Sequence, residues 1–207
     1  MSVSLTHIYL NRVGMDRLHP GALAFYASLD QVRTVSPSIA KSIAQELYDQ
    51  RTHLKLIASE NYCSLTTQLA CGNLLTDKYA EGIPGHRFYA GCENVDAIEA
   101  EAASLARELF GAEYAYVQPH SGADANLVAF LAILSARVQA PMLDRLGQHD
   151  LYKLSEADWA SLRHDFGNQR LLAMNYYSGG HLTHGYRHNI SSRLFQVSHY
   201  GAEGESG

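Results

Sequence analysis

Three short stretches of the 207-residue chain concentrate side chains able to do chemistry. The first, YAEGIPGHRFYAG, runs from Tyr79 to Gly91 and gathers two tyrosines, Glu81, His86 and Arg87 on a backbone punctuated by Gly82, Pro84, Gly85 and Gly91. No helical or strand period runs through it, so it reads as turns presenting ionisable groups. Glu81 suits either a buried acid/base or a solvated turn carboxylate. The second, AYVQPHSGADAN, places Ser121 and Gly122 where a loop enters an apolar helix. Free N–H groups and the positive end of the helix dipole suit an anion there, and a serine-glycine cap without a ligand reads the same way. The third, SGGHLTHGYRH, carries His181, His184 and His188. A histidine after two glycines can lie flat on a planar ring or simply start a helix at the surface. No second group of cysteines or acids supports a metal site, so none is assigned. Ser59-Glu60-Asn61 is open to similar alternatives.

The elements that must position these residues follow from pattern. Residues 1–35 read as an arm with one short helix near Ala22–Leu29. Ser36 as cap and Pro37 at the first helical position start a second helix, with Ile39, Ile43 and Leu47 on one face. LKLIASENYCS is a short apolar run ending in turn residues, and TTQLACGNLL predicts a helix through Leu75. Asn94 caps the strongest helix, with Val95, Ile98, Ala102, Leu105 and Leu109 on one face and Gly111 at its end. EYAYVQ predicts a strand, PHSGAD a loop and ANLVAFLAIL a buried helix. Residues 136–170 differ in texture and read as an insertion. They include a helix whose Ser155 and Asp158 resemble a capping box. LLAM predicts a strand, NYYSGG a second glycine loop, and RLFQVSHYG a further strand.

Composition bounds the class. Hydrophobic residues at 46% and charged residues at 18% are ordinary globular values. A net charge of −5 gives no general pull toward nucleic acid or an anionic membrane, and neither is expected as a partner. No apolar run of about 20 residues is evident, and the N-terminus lacks a secretory pattern. Cys63, Cys71 and Cys92 form no CxxC pair and read as reduced thiols, which favours a cytoplasmic location.

LIASEN, LTDKYAEGIPGHRFYAGCENVDAIE, ELFGAEYAYVQPHSGADAN and SGGHLTHG, taken in order, resemble serine hydroxymethyltransferase across roughly Ser36 to Tyr200, outside the 136–170 region. The insertion resembles that of an extended, chlamydial-type branch. The resemblance implies an α/β fold of the pyridoxal phosphate (PLP)-dependent transferase type I, aspartate-aminotransferase-like class, present in part. Residues 1–90 would form the N-terminal helical arm and interface segment, and 91–207 the first part of the large PLP-binding domain with its mixed sheet. It also implies a homodimer or tetramer with PLP as cofactor, tetrahydrofolate as co-substrate, and serine and glycine as substrates. Tyr79 would reach the cofactor phosphate of a neighbouring subunit. Glu81 would be the acid/base at the substrate hydroxyl, and Tyr89 would help hold the substrate carboxylate. Ser59 would contact that carboxylate. Ser121, Gly122 and Ala123 would form the phosphate loop, His181 would stack on the pyridine ring, and Tyr176, Gly180 and Leu182 would lie near the folate.

Three positions depart from the family pattern. Ala123 stands where a serine usually donates to phosphate, a loss of about 1–3 kcal/mol for a charge-assisted bond. Tyr176 stands at a commonly apolar folate contact, and Phe88 replaces a frequent tyrosine. PLP chemistry also needs a lysine. None of Lys41, Lys55, Lys78 or Lys153 has the family's context of a threonine run and a histidine. That lysine, the pyridinium carboxylate and the substrate-binding arginine are expected downstream, so the chain is expected to be an N-terminal portion that is inactive alone. A non-catalytic interaction module pairing with a full-length paralogue, and more weakly a histidine-rich metal protein, are the alternatives.

Overall fold

The structure, a computed structural model, describes residues 3–186, 188–189 and 196–201. The chain divides into two compact units, the first ending at Val95 and the second beginning at Asp96.

The first unit is helical. Helices α1 (Leu5–Val13), α2 (Pro20–Val35) and α3 (Pro37–Thr52) follow one another, with α1 packed on α2 and α2 on α3. Proline opens both α2 and α3, where its missing N–H costs nothing. The arm is therefore more ordered than one short helix at Ala22–Leu29. The reason is tertiary. The Asp30 carboxylate on α2 accepts from Ser4 Oγ (2.6 Å), Leu5 N (3.0 Å), Thr6 N (2.9 Å) and Thr6 Oγ1 (2.8 Å), and so caps α1 from outside. Those bonds, Ser4 first, hold its carboxyl well below the usual range. No local signal in residues 5–13 announces a partner 25 residues away.

Helix α4 (Leu65–Cys71) is shorter than predicted. It ends at Gly72, and a 3-10 turn at Leu74–Asp77 follows, started by Asn73 Oδ1 accepting from Leu75 N at 2.8 Å. Strands β1 (Gly82–Ile83) and β2 (His86–Arg87) then form a two-residue antiparallel hairpin. The Tyr79–Gly91 stretch thus pairs with itself, contrary to the expectation that it would make no sheet of its own.

The second unit takes up most of α5 (Glu93–Phe110), whose predicted apolar face is exposed here at Ile98, Leu105 and Leu109. EYAYVQ forms no strand. It runs as extended chain, and Gln118 Nε2 donates to Glu99 Oε1 on α5 at 2.7 Å. Among the described residues no strand lies beside it to complete a ladder. Helix α6 (Gly122–Leu134) is mostly uncovered rather than buried, with only Leu134 fully inside. It continues through a π turn at Ser135–Gln139 into α7 (Ala140–Leu146). Gly122–Leu146 is consequently one helix long and apolar enough to cross a membrane by length and composition, which corrects the reading that no such run exists. A core helix of a soluble protein passes the same test. The 136–170 region is otherwise α8 (Glu156–Gly167), started by a true capping box between Ser155 and Asp158.

Strand β3 (Arg170–Met174) pairs in parallel with β4 (Gln196–Tyr200), in register from Arg170 opposite Gln196 to Met174 opposite Tyr200. A parallel pair requires a crossover, and it carries the second glycine loop and the single turn α9 (Leu182–Gly185). The predicted RLFQVSHYG strand begins within residues 193–195, outside the described set. Among the described residues the sheets are two-stranded, one antiparallel and one parallel, and the expected mixed sheet is not seen.

Candidate active site

The residues singled out from sequence fall into two groups, one in each unit. In the first unit, the hairpin after Tyr79 is braced from several sides. Gly82 sits at φ +105°, and a Cβ there would overlap the His86 carbonyl oxygen and lie 3.0 Å from Arg87 Cα, so only glycine fits. Phe88 N donates to the Glu81 carbonyl at 3.0 Å. Arg87 Nη1 donates to the carbonyls of Ala80 (2.8 Å) and Gly82 (2.9 Å), one on each side of Glu81. The buried Cys92 thiol closes the base of the loop, donating to the carbonyls of Tyr89 (3.2 Å) and Tyr79 (3.6 Å). Lys78 Nζ reaches Ala90 O at 2.7 Å.

The brace sets the Arg87, Cys92 and Lys78 side chains on backbone carbonyls and does not use the side chains of Tyr79, Glu81 or Tyr89. Tyr79, 71% exposed, and Tyr89 meet edge to face with ring centroids 5.8 Å apart. The exposed Glu81 carboxylate takes no part in the bracing. Sequence reading named Arg87 and Cys92 but gave neither a bracing role, because the carbonyls they hold carry no residue identity.

Ser59 is exposed within the turn that the Glu60 N to Ile57 O bond closes. Nearby Lys55 lies 3.3 Å from both Glu60 and Glu46, and these two, Glu60 first, raise its pKa. A lysine held protonated in this way is a poor nucleophile.

In the second unit, Ser121 caps α6, its Oγ accepting from Asp124 N at 3.1 Å while its backbone carbonyl accepts from Ala125 N at 3.0 Å. That leaves the Ser121 hydroxyl proton free to donate outward. The N–H groups of Gly122 and Ala123 lie in the first helical turn, where no carbonyl of the helix reaches them. A Cβ built at Gly122 meets nothing within 4 Å, so the space before the helix is open. A hydroxyl, two backbone donors and the helix dipole together fit a phosphate group even without the serine that Ala123 replaces.

The glycine loop after β3 holds the other members. Tyr176 belongs to a 3-10 turn at Tyr176–Ser178 and meets Tyr177 edge to face (ring centroids 5.4 Å) and Tyr186 at a tilt (6.1 Å). Gly180 is pressed onto the end of β3, with its N–H donating to Asn175 O at 2.9 Å. His181 starts α9, its Nδ1 accepting from Thr183 N at 3.1 Å, and the exposed Leu182 follows. Turn α9 packs against both α6 and β3. Asn126 Nδ2, one turn along α6 from Gly122, donates to Thr183 Oγ1 at 3.4 Å. The Ser121 and His181 corners are therefore tied together. Sequence reading named neither Asn126 nor Thr183, although Thr183 lies between two histidines it did name.

His184, by contrast, points inward. Its Nδ1 is buried without a hydrogen-bond partner, and His199 Nε2 donates to its carbonyl at 3.0 Å. Burial first, then the nearby His181 and His199, lower its pKa below 6.5. A histidine of this kind binds its proton more readily in the unfolded chain. Its contribution to stability is complete above about pH 6.5 and is lost as pH falls through its lowered folded value. Urea midpoints on either side of pH 6.5 should fall toward acid in the native chain, and less so in His184→Leu; an equal fall in both would remove the assignment. Among the described residues no three His, Cys, Asp or Glu side chains converge as a metal site would need.

A model of the serine hydroxymethyltransferase family matches residues 32–147, more than half the chain. The serine hydroxymethyltransferase of Treponema pallidum (strain Nichols) is 55% identical over 207 residues, covering 100% of this chain and 36% of its own length. That of Mycolicibacterium smegmatis is 56% identical over 194 residues, covering 94% of this chain and 40% of its own. That of Chlamydia caviae is 50% identical over 199 residues, covering 95% and 40%. The chain thus spans well under half the length of these curated relatives.

Proposed function

Because the chain belongs to the serine hydroxymethyltransferase family, we propose that it is the N-terminal portion of a cytoplasmic, PLP-dependent enzyme that interconverts serine and tetrahydrofolate with glycine and methylene-tetrahydrofolate. The observation that best supports this reading is the tie within one unit between the anion-ready start of α6 and the His181 loop. Family membership brings with it the PLP-dependent transferase fold, and the parallel β3–β4 pair with its helical crossover suits that class.

In this reading Ser121, Gly122 and Ala123 hold the cofactor phosphate through one hydroxyl and two backbone N–H groups. His181 lies against the pyridine ring, and Tyr176, Gly180 and Leu182 border the folate. Bound PLP would supply an electron sink for negative charge developing at the amino-acid α-carbon. Ser59 and Tyr89 orient the substrate carboxylate, and Glu81 holds or moves the proton at the substrate hydroxyl. Tyr79 contacts the cofactor phosphate of a neighbouring subunit in a homodimer or tetramer. A braced hairpin with Tyr79, Glu81 and Tyr89 exposed suits that task, because its shape does not depend on those side chains.

In this reading the essential lysine is none of Lys41, Lys55, Lys78 and Lys153, because none stands in the family's context of a threonine run and a histidine. Lys55 is held by two carboxylates, Lys78 by Ala90 O, and Lys153 lies 3.9 Å from Asp150. The isolated 207-residue chain, supplied with serine, PLP and tetrahydrofolate, is therefore expected to form no glycine, whereas the full-length protein containing it is expected to do so. Glycine from the isolated chain would overturn the portion assignment, and its absence with the full-length protein would overturn the enzyme assignment.

A further inference from the structure

We infer that Thr183 and Asn126 are positioning residues that fix the His181 imidazole in a single neutral tautomer, with its proton on Nε2. Direction follows from one donor whose identity is not in doubt. The backbone N–H of Thr183 can only donate, and it sits 3.1 Å from His181 Nδ1. Nδ1 must therefore present its lone pair, since the other tautomer would set two N–H donors against each other. Thr183 Oγ1 lies 2.6 Å from the same nitrogen, and by the same logic its proton points at Nδ1. The threonine is 1% exposed, so no solvent competes for that proton. Its oxygen lone pairs then face Asn126, whose Nδ2 donates at 3.4 Å. A one-way chain results, from the Asn126 amide through the Thr183 hydroxyl to the ring.

Two consequences follow. Among the described residues the ring is hydrogen-bonded through Nδ1, which leaves Nε2–H as a donor toward an oxygen of a bound ligand. The anchor lies on α6, four residues after Gly122, and i,i+4 positions share a helix face. The side chain that sets the tautomer thus belongs to the helix whose start is read as the phosphate site. The tautomer stands on the hydrogen bonds alone; its use against a cofactor ring rests on the function proposed above, and the two are separable by experiment.

Long-range ¹H–¹⁵N spectra of the labelled full-length protein report the proton on each ring nitrogen, and His181→Gln assigns the signal. The native His181 should show the Nε2–H form alone. Thr183→Ser keeps the hydroxyl and should preserve it. Asn126→Asp should turn the threonine around, because a carboxylate accepts the hydroxyl proton and leaves the oxygen lone pair facing Nδ1. The backbone N–H of Thr183 then stands alone in favour of the Nε2–H form, so a minor Nδ1–H population should become visible beside it. A native ring exchanging between both forms like a solvated histidine would overturn the inference, and so would an Asn126→Asp spectrum identical to the native one. Addition of PLP serves as a separate arm. If the His181 signals ignore the cofactor while the native tautomer stays fixed, the positioning inference stands and the cofactor reading falls.

Discussion

Replacing Glu81 with glutamine in the full-length enzyme is expected to lower kcat by about 10²–10⁴-fold, the usual worth of a positioned acid or base, with little change in the KM for serine. The expectation is sharp because the hairpin does not use this side chain. Its shape comes from Gly82 at φ +105°, from the Phe88 N to Glu81 O bond, and from Arg87 holding the carbonyls of Ala80 and Gly82. Glutamine keeps the length and the backbone of Glu81 and removes only the ability to take and return a proton. A loss of rate therefore cannot be assigned to a collapsed turn, and circular dichroism and subunit assembly should match the native protein. A kcat within about twofold of native would mean that Glu81 is a solvated turn carboxylate after all, the simpler alternative its surroundings always allowed.

Gly180→Ala is expected to be the most damaging single-methyl change in the second unit. The added Cβ would overlap the Met174 carbonyl oxygen, lie 2.7 Å from its carbonyl carbon, and lie 2.8 Å from Asn175 O. All three are backbone atoms at the end of β3, so no side chain can swing aside. Overpacking of this kind typically costs about 1–3 kcal/mol. Here relief requires moving the loop away from the strand, breaking the Gly180 N to Asn175 O bond and displacing His181 next to it. The urea midpoint should fall, and the His181 ring signals should lose their single tautomer. A variant of native stability with an unmoved His181 would show that the loop has slack that the close approach denies. The same observation changes the meaning of Gly180. In the function proposed above it would border the folate, and in the fold it is first a place where two backbones touch.

Much of the site was legible in the sequence because its signals are local. The serine cap of α6, the capping box of α8, the proline start of α3 and the β3 strand each depend on residues within a few positions of one another. The order of the four motifs identified the family for the same reason. The misses share an opposite origin. α1 is organised by Asp30, EYAYVQ stays unpaired for want of a neighbouring strand among the described residues, and α6 runs on through a π turn to Leu146.

By itself the sequence determined which residue types stand at the two glycine corners and the Glu81 turn, where most helices start, and the family to which they belong. Only the tertiary structure decided that Arg87 clamps the backbone around Glu81, that Gly180 is locked onto Met174, and that Asn126 reaches Thr183 to orient His181. The physical reason is common to all three. Each interaction involves a backbone carbonyl, which has the same chemistry in every residue, or a partner far along the chain, and neither leaves a mark in local spacing.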